Sequence, residues 1–146
     1  MLHYAITDRV RSASETWSQE QALLRQAGRL AQTGIDYVQL REKDLDAGAL
    51  ASLARRLVAI LRVAANPPKL LLNSRADAAV AAGADGVHLS ASVGSLTPAD
   101  VRKLYAATGL PEPIVSISCH TLKEVQAARA AGATLILFGP IFEKVV

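Results

Sequence analysis

Gln39 and Arg41 lie two residues apart at the end of an apolar run, so a strand would turn both side chains to one face, with Lys43 following within reach. Arginine offers a planar fork matched to carboxylate or phosphate, and lysine a point charge. The competing use of these cations is an internal ion pair with Glu42, Asp44 or Asp8. Ser116, Ser118 and His120 alternate in the same way, with Ile117 and Cys119 opposite, which puts His120 at the rim where that strand stops. Asn73 ends another apolar run and suits either a substrate amide or ring nitrogen, or the capping of the next helix. His88, between Val87 and Leu89, reads as a packed, hydrogen-bonded residue of the sheet. A metal site made from His88 and His120 would lack carboxylate partners, so no metal is assigned to them. Cys119 reads as a small core residue, and Trp17 as part of the surface of the first helix.

These side chains need a scaffold that brings strand ends together. Gln32-Thr33-Gly34-Ile35-Asp36, Ala81-Ala82-Gly83-Ala84-Asp85 and Ala130-Ala131-Gly132-Ala133-Thr134 each close a helical pattern at glycine and open an apolar run. Glycine supplies the left-handed residue that ends a helix, and the run that follows is a buried strand. Helix starts carry a hydroxyl with a carboxylate three residues later: Ser74 with Asp77, Thr97 with Asp100, Thr121 with Glu124. Leu50, Leu53, Ala54, Leu57, Ile60 and Leu61 keep a helical period. The pattern predicts strands near 3–7, 35–41, 69–73, 85–90, 114–118 and 134–138, and helices near 18–33, 46–64, 75–82, 98–108 and 122–131. Alternation of this kind requires parallel pairing with right-handed crossovers. Reactive groups at the carboxyl ends of such strands mark the place where α/β proteins bind ligands. Two closures remain open, a doubly wound sheet and a (β/α)8 barrel. No Gly-x-Gly-x-x-Gly follows the first strand, which removes support for a nucleotide-binding sheet.

At 146 residues the chain has the length of a single domain, 1–146. Aromatics are only 4% of it, so the core must come from Ala, Leu, Val and Ile. Cys119 is the single cysteine, which excludes an internal disulfide and a multi-cysteine zinc site. The net charge of +3 is dispersed, unlike a nucleic-acid footprint, and suits a phosphorylated substrate. No apolar run is long enough to cross a membrane, and the N-terminus lacks the pattern of a secretory signal. The expectation is a cytoplasmic protein with neither nucleic acid nor membrane as partner.

Six stretches in order carry a resemblance: Tyr4-Ala-Ile-Thr-Asp8, Val38-Gln-Leu-Arg-Glu-Lys-Asp44, Leu72-Asn-Ser-Arg-Ala-Asp77, Asp85-Gly-Val-His-Leu89, Ser118-Cys-His-Thr121 and Phe138-Gly-Pro-Ile-Phe-Glu143. They resemble the thiamine phosphate synthase/TenI family from Leu2 to Lys144. The resemblance implies a TIM barrel, an α/β fold, and one of two chemistries. The synthase joins a pyrimidine pyrophosphate to a thiazole phosphate with magnesium. TenI-like members isomerise a thiazole carboxylate phosphate to its aromatic tautomer without metal. Gln39, Arg41 and Lys43 match the synthase's pyrophosphate-binding set. Yet Ser74 stands where the synthase pattern has a metal-ligating aspartate, and Ser90-Ala91-Ser92 replaces Gly-Gln-Asp. Magnesium usually relies on one or two carboxylates plus substrate phosphates, so these departures favour the tautomerase, with no cofactor. The resemblance then makes His120 the proton carrier, since histidine both takes and gives a proton near neutral pH. It places Glu143 beside it in the relay, or else as a solvated loop carboxylate. Gln39, Arg41, Lys43, Asn73, Ser118 and Gly139 become the substrate-binding set for a phosphorylated thiazole.

A barrel of this kind needs about 250 residues and eight strands, and its phosphate site comes from the last two βα loops. Those units have no counterpart in the pattern, which predicts an incomplete barrel of six strands. The expectations are a partial chain of a longer enzyme, a short product that self-associates into a homo-oligomer to cover its edges, or a ligand-binding protein without catalysis.

Overall fold

The computed structural model describes residues 1–9, 18–92 and 94–142. Trp17 and Glu143 lie outside the described residues. The elements alternate: β1 (Tyr4–Ile6), α1 (Gln19–Ala31), β2 (Tyr37–Leu40), α2 (Ala47–Leu61), β3 (Lys69–Asn73), α3 (Ala76–Ala82), β4 (Gly86–Ser90), α4 (Pro98–Ala107), β5 (Ile114–Cys119), α5 (Leu122–Ala130) and β6 (Leu135–Phe138). All six strands pair in parallel and in chain order. Consecutive order is what a barrel requires; a doubly wound sheet reverses direction partway.

The strands alternate between two different environments. Val38, Leu40, Leu70, Leu72, Val87, Leu89, Val115, Ile117 and Cys119 turn outward into the core shared with the helices. Helix α2 supplies the largest part of that core through Leu50, Leu53, Ala54, Leu57, Val58 and Leu61. The inward face instead carries Tyr4, Gln39, Asn73, His88, Ser116 and Ser118. The sheet curls far enough that Tyr4 Oη on β1 lies 3.3 Å from Ser116 Oγ on β5. Strands four apart meet across the interior only when the curvature is that of an eight-stranded closure, in which alternate strands build each layer of side chains. The fold is a curled, incomplete α/β barrel.

The three glycine phrases do more than end helices. Gly34, Gly83 and Gly132 all have positive φ (73°, 65° and 85°), and they recur at intervals of 49 residues. Two positions after each glycine, Asp36, Asp85 and Thr134 make the same pair of bonds to the strand before. Their backbone N–H groups donate to the carbonyls of His3, Leu70 and Val115. Their side chains accept from the N–H groups of those same residues, at 2.7, 2.9 and 3.1 Å. Each even-numbered strand is thereby stapled to its odd-numbered predecessor, which sets the register of three successive βαβ units. Gly86 has a different role: a Cβ there would fall 1.8 Å from the Ile114 carbonyl oxygen, so β4 and β5 pack as closely as they do only around glycine.

Thr97 with Asp100 and Thr121 with Glu124 form the expected capping boxes. Ser74 with Asp77 does not. Arg75 is the N-cap of α3 and makes no side-chain cap bond. Ser74 sits in the left-handed region at φ 59°, and the Arg75 guanidinium takes Asp77 at 2.9 and 2.6 Å.

Candidate active site

The inner face of β1 to β5 holds one connected polar network, reaching from Tyr4 at the start of β1 to Asn73 at the end of β3. Tyr4 Oη donates to Gln39 Oε1 at 3.1 Å, and Gln39 Nε2 donates to Asn73 Oδ1 at 2.9 Å. His88 Nδ1 lies 2.7 Å from Ser116 Oγ and its Nε2 lies 2.9 Å from Ser118 Oγ. Since Ser116 also meets Tyr4, the network runs unbroken from Asn73 through Gln39, Tyr4, Ser116 and His88 to Ser118. Burial, and then the nearby Arg41 charge, push the His88 imidazole down to about 4. At neutral pH it is therefore uncharged, with one nitrogen donating and the other accepting. Burial pushes the Tyr4 hydroxyl up to about 12, so it stays a donor. Three of the expected substrate residues, Gln39, Asn73 and Ser118, belong to this floor.

Arg41 and Lys43 stand exposed above it. The internal ion pair that competed for them does not form with Glu42 or Asp44, because Arg9 takes both carboxylates. Arg9 Nε lies 3.3 Å from Glu42 Oε2, and Arg9 also hydrogen-bonds Asp44. Among the described residues neither Arg41 nor Lys43 has an ion-pair partner. A cleft of about 180 Å³ opens beside Lys43 between the ends of β2 and β3, lined also by Glu42, Asn73, Ser74 and Arg75 with Leu40, Leu45 and Leu50. Exposed cations next to neutral donors and acceptors are the groups with which an anion bearing a ring or amide is bound.

His120 is not part of the network among the described residues. It follows the last residue of β5, is exposed, and its Nδ1 contacts the Gly139 carbonyl at the end of β6. A carbonyl can only accept, so Nδ1 carries the hydrogen and Nε2 of the neutral ring is left as the accepting nitrogen. His120 and Gly139 are thus brought together at one rim, with Gly139-Pro140 a cis peptide.

Magnesium takes oxygen ligands and usually one or two carboxylates. Ser74 and Ser90 offer neutral hydroxyls, Asn73 Oδ1 already accepts from Gln39, and Asp77 is held at about 2 by its bonds to Arg75. No group of three His, Cys, Asp or Glu side chains that could hold a metal occurs among the described residues. These residues do not fit a protein-held magnesium ion.

Tyr4, Thr7 and Arg9 were not picked out in the sequence. β1 is three residues long, too short for its alternation to reveal which side chains point inward. Nothing local to Arg9 indicates a partner 33 residues away.

Six parallel strands in chain order, curled around a polar inner face, place the chain in the TIM-barrel class of α/β folds. Residues 3–145 match the family model described as thiamine monophosphate synthase, and the chain belongs to that family. It is 43% identical over 110 residues to a putative thiamine-phosphate synthase of Geobacter sulfurreducens, covering 75% of this chain and 47% of that one. It is 34% identical to the thiamine-phosphate synthase of Azorhizobium caulinodans, covering 94% of this chain and 58% of the relative. A putative thiamine-phosphate synthase 2 of Aquifex aeolicus is 35% identical over 96% of this chain and 67% of its own length. The solved thiamine phosphate pyrophosphorylase of Pyrococcus furiosus shares the fold, with a TM-score of 0.76 at 23% identity, over 97% of this chain and 61% of that one. The chain thus spans about half to two thirds of the length of these relatives. Their names fall on the synthase side of the two chemistries, not on the tautomerase side that Ser74 and Ser90-Ala91-Ser92 favour.

Proposed function

We propose that this chain carries the anion-binding part of a thiamine-phosphate synthase, a transferase that joins a pyrimidine pyrophosphate to a thiazole phosphate. The observation that carries the proposal is the pair of cations, Arg41 and Lys43, freed from Glu42 and Asp44 by Arg9 and set beside Gln39 and Asn73. In such a transfer the pyrophosphate departs with the bonding electron pair. Preorganised cations stabilise that charge more in the transition state than in the substrate. Gln39, Asn73 and Ser118 would orient the ring of the second reactant from below. The names of the relatives support this reading; the activity of the whole protein, its thiazole phosphate partner and a homo-oligomeric state are proposals with it.

A second reading, the thiazole tautomerase, is favoured by one specific feature: the carboxylates a magnesium-dependent synthase pattern carries are serines here. In that reaction His120 Nε2 takes a proton from one ring position of the thiazole carboxylate phosphate and returns it at another. The Gly139 carbonyl would hold the imidazole, and Arg41 or Lys43 the phosphate.

One assay separates the two. The purified protein is given pyrimidine pyrophosphate with thiazole phosphate, with and without magnesium, and separately the non-aromatic thiazole carboxylate phosphate. Thiamine phosphate in the first mixture is the expected result. Aromatic tautomer in the second with no thiamine phosphate in the first would replace the synthase by the tautomerase. Binding without either product would leave a ligand-binding protein.

A further inference from the structure

The sequence Arg41-Glu42-Lys43 places a carboxylate between two candidate substrate cations, where it would cancel much of their charge if it shared their face. Its charge is instead taken up by its neighbours: the Glu42 side chain borders the cleft together with Lys43 but is only 4% exposed. Its Oε1 accepts from Thr7 Oγ1 at 2.8 Å and from the Arg9 backbone N–H at 3.2 Å, and its Oε2 faces Arg9 Nε at 3.3 Å. The buried Arg9 Nε has no partner in hydrogen-bond geometry, so this last contact is an ion pair alone. Thr7 completes a relay. Its hydroxyl donates to Glu42 and accepts the Arg41 backbone N–H at 3.0 Å, while its own N–H donates to the Gln39 carbonyl at 2.9 Å. Arg9 reaches on to Gln19 Oε1 at 2.8 Å, tying the start of α1 to the same point.

We infer that Thr7 and Glu42 are positioning residues for anion binding: together they bolt the end of β1 to the end of β2 and aim the Arg41 and Lys43 backbone at the mouth. The inference rests on the anion-binding reading above. β2 ends at Leu40, so Arg41 lies beyond the ladder, and the Thr7 hydroxyl replaces the hydrogen bond that a continuing strand would have made to its N–H. Buried hydrogen-bonded carboxylates fix geometry when every partner is present. The same carboxylate also pairs with Arg9, so the positive charge of Arg9 at this end of the sheet is neutralised while Arg41 and Lys43 keep theirs without an ion-pair partner among the described residues.

The test uses inorganic pyrophosphate as probe, titrated calorimetrically into the purified protein and its variants. Thr7→Val keeps the shape of the side chain and removes the relay. It is expected to weaken pyrophosphate binding by about tenfold, the scale of one lost hydrogen bond to a charged group. Thr7→Ser is expected to bind as wild type, and Glu42→Gln to weaken binding as Thr7→Val does. Amide exchange gives a readout that a general loss of stability would not produce: the Arg41 N–H should exchange faster in Thr7→Val while the Leu71 and Val87 amides keep their protection. Unchanged affinity in Thr7→Val, with wild type binding normally, would overturn the positioning role and leave the anion site standing. Failure of wild type itself to bind pyrophosphate would overturn the anion site and this inference together.

Discussion

His88 shows how one buried residue couples the site to pH. The folded protein keeps it neutral down to about 4, whereas an unfolded chain protonates it near the ordinary value of 6.5. Between those values the unfolded state binds more protons. The stability that His88 contributes is therefore complete above pH 6.5 and is lost as pH falls toward 4. After allowance for partial solvent contact at the mouth, the loss amounts to about 2 kcal/mol. Denaturant titrations at pH 7 and pH 4.5 should show it, and His88→Gln should flatten the difference; an equally steep fall in the variant would assign the effect elsewhere. Arg41 acts at the same scale by charge. Arg41→Ala is expected to reduce pyrophosphate affinity by about ten- to a hundredfold in dilute buffer and by less at high salt, because the lost attraction is screened. A salt-independent loss would point to disrupted packing instead.

At the scale of elements, the recurrent staple from Asp36, Asp85 and Thr134 decides how strands pair. Asp85 is the most loaded of the three: it accepts from the Leu70 N–H, pairs with Lys69 at 3.3 Å, and its carbonyl receives the Ile114 N–H. Asp85→Ala is expected to cost about 2 kcal/mol, more than Thr134→Val at about 1 kcal/mol, since a hydrogen bond to a charged acceptor is the stronger. Thermal melts of the two variants check the order. Gly86→Ala should be worse than either, because the clash at 1.8 Å is with backbone that cannot swing aside. The failed capping box at Ser74 belongs to this scale as well. The left-handed turn there lets the Ser74 N–H donate to the His88 carbonyl at 2.8 Å, tying β3 to β4, and the Arg75–Asp77 pair takes the carboxylate that would have capped α3. A residue at φ 59° favours Asn or Asp over Ser, so Ser74→Asp should be tolerated, and in the synthase reading it should raise magnesium-stimulated turnover.

For the molecule as a whole, curvature is the property that matters most. The bonds from Tyr4 to Gln39 and Ser116 span three strands that are remote in the chain, and Tyr4→Phe is expected to cost about 1 kcal/mol in a urea titration. Beyond β5 the apolar surface is poorly covered: only Ala128 of α5 is buried, and Leu122, Ile141 and Phe142 are exposed by 74%, 74% and 85%. Such a surface favours association, and sedimentation of the purified chain is expected to show a species that grows with concentration. By itself the sequence determined the elements, their parallel pairing and much of the polar floor, while the strand order that separates a barrel from a doubly wound sheet is seen only in the fold. Helix period, glycine stops and strand alternation are local, and they set Gln39, Asn73 and Ser118 near strand ends and His88 within its strand as a hydrogen-bonded residue. The tertiary structure decided which partner each charge takes. Arg9 chooses Glu42 and Asp44, His120 turns to Gly139, and Tyr4 reaches Ser116 across 112 residues. Each of these depends on how far the sheet curls and where a loop end lands, distances set by the packing of all the strands together, so no short stretch of the chain contains them.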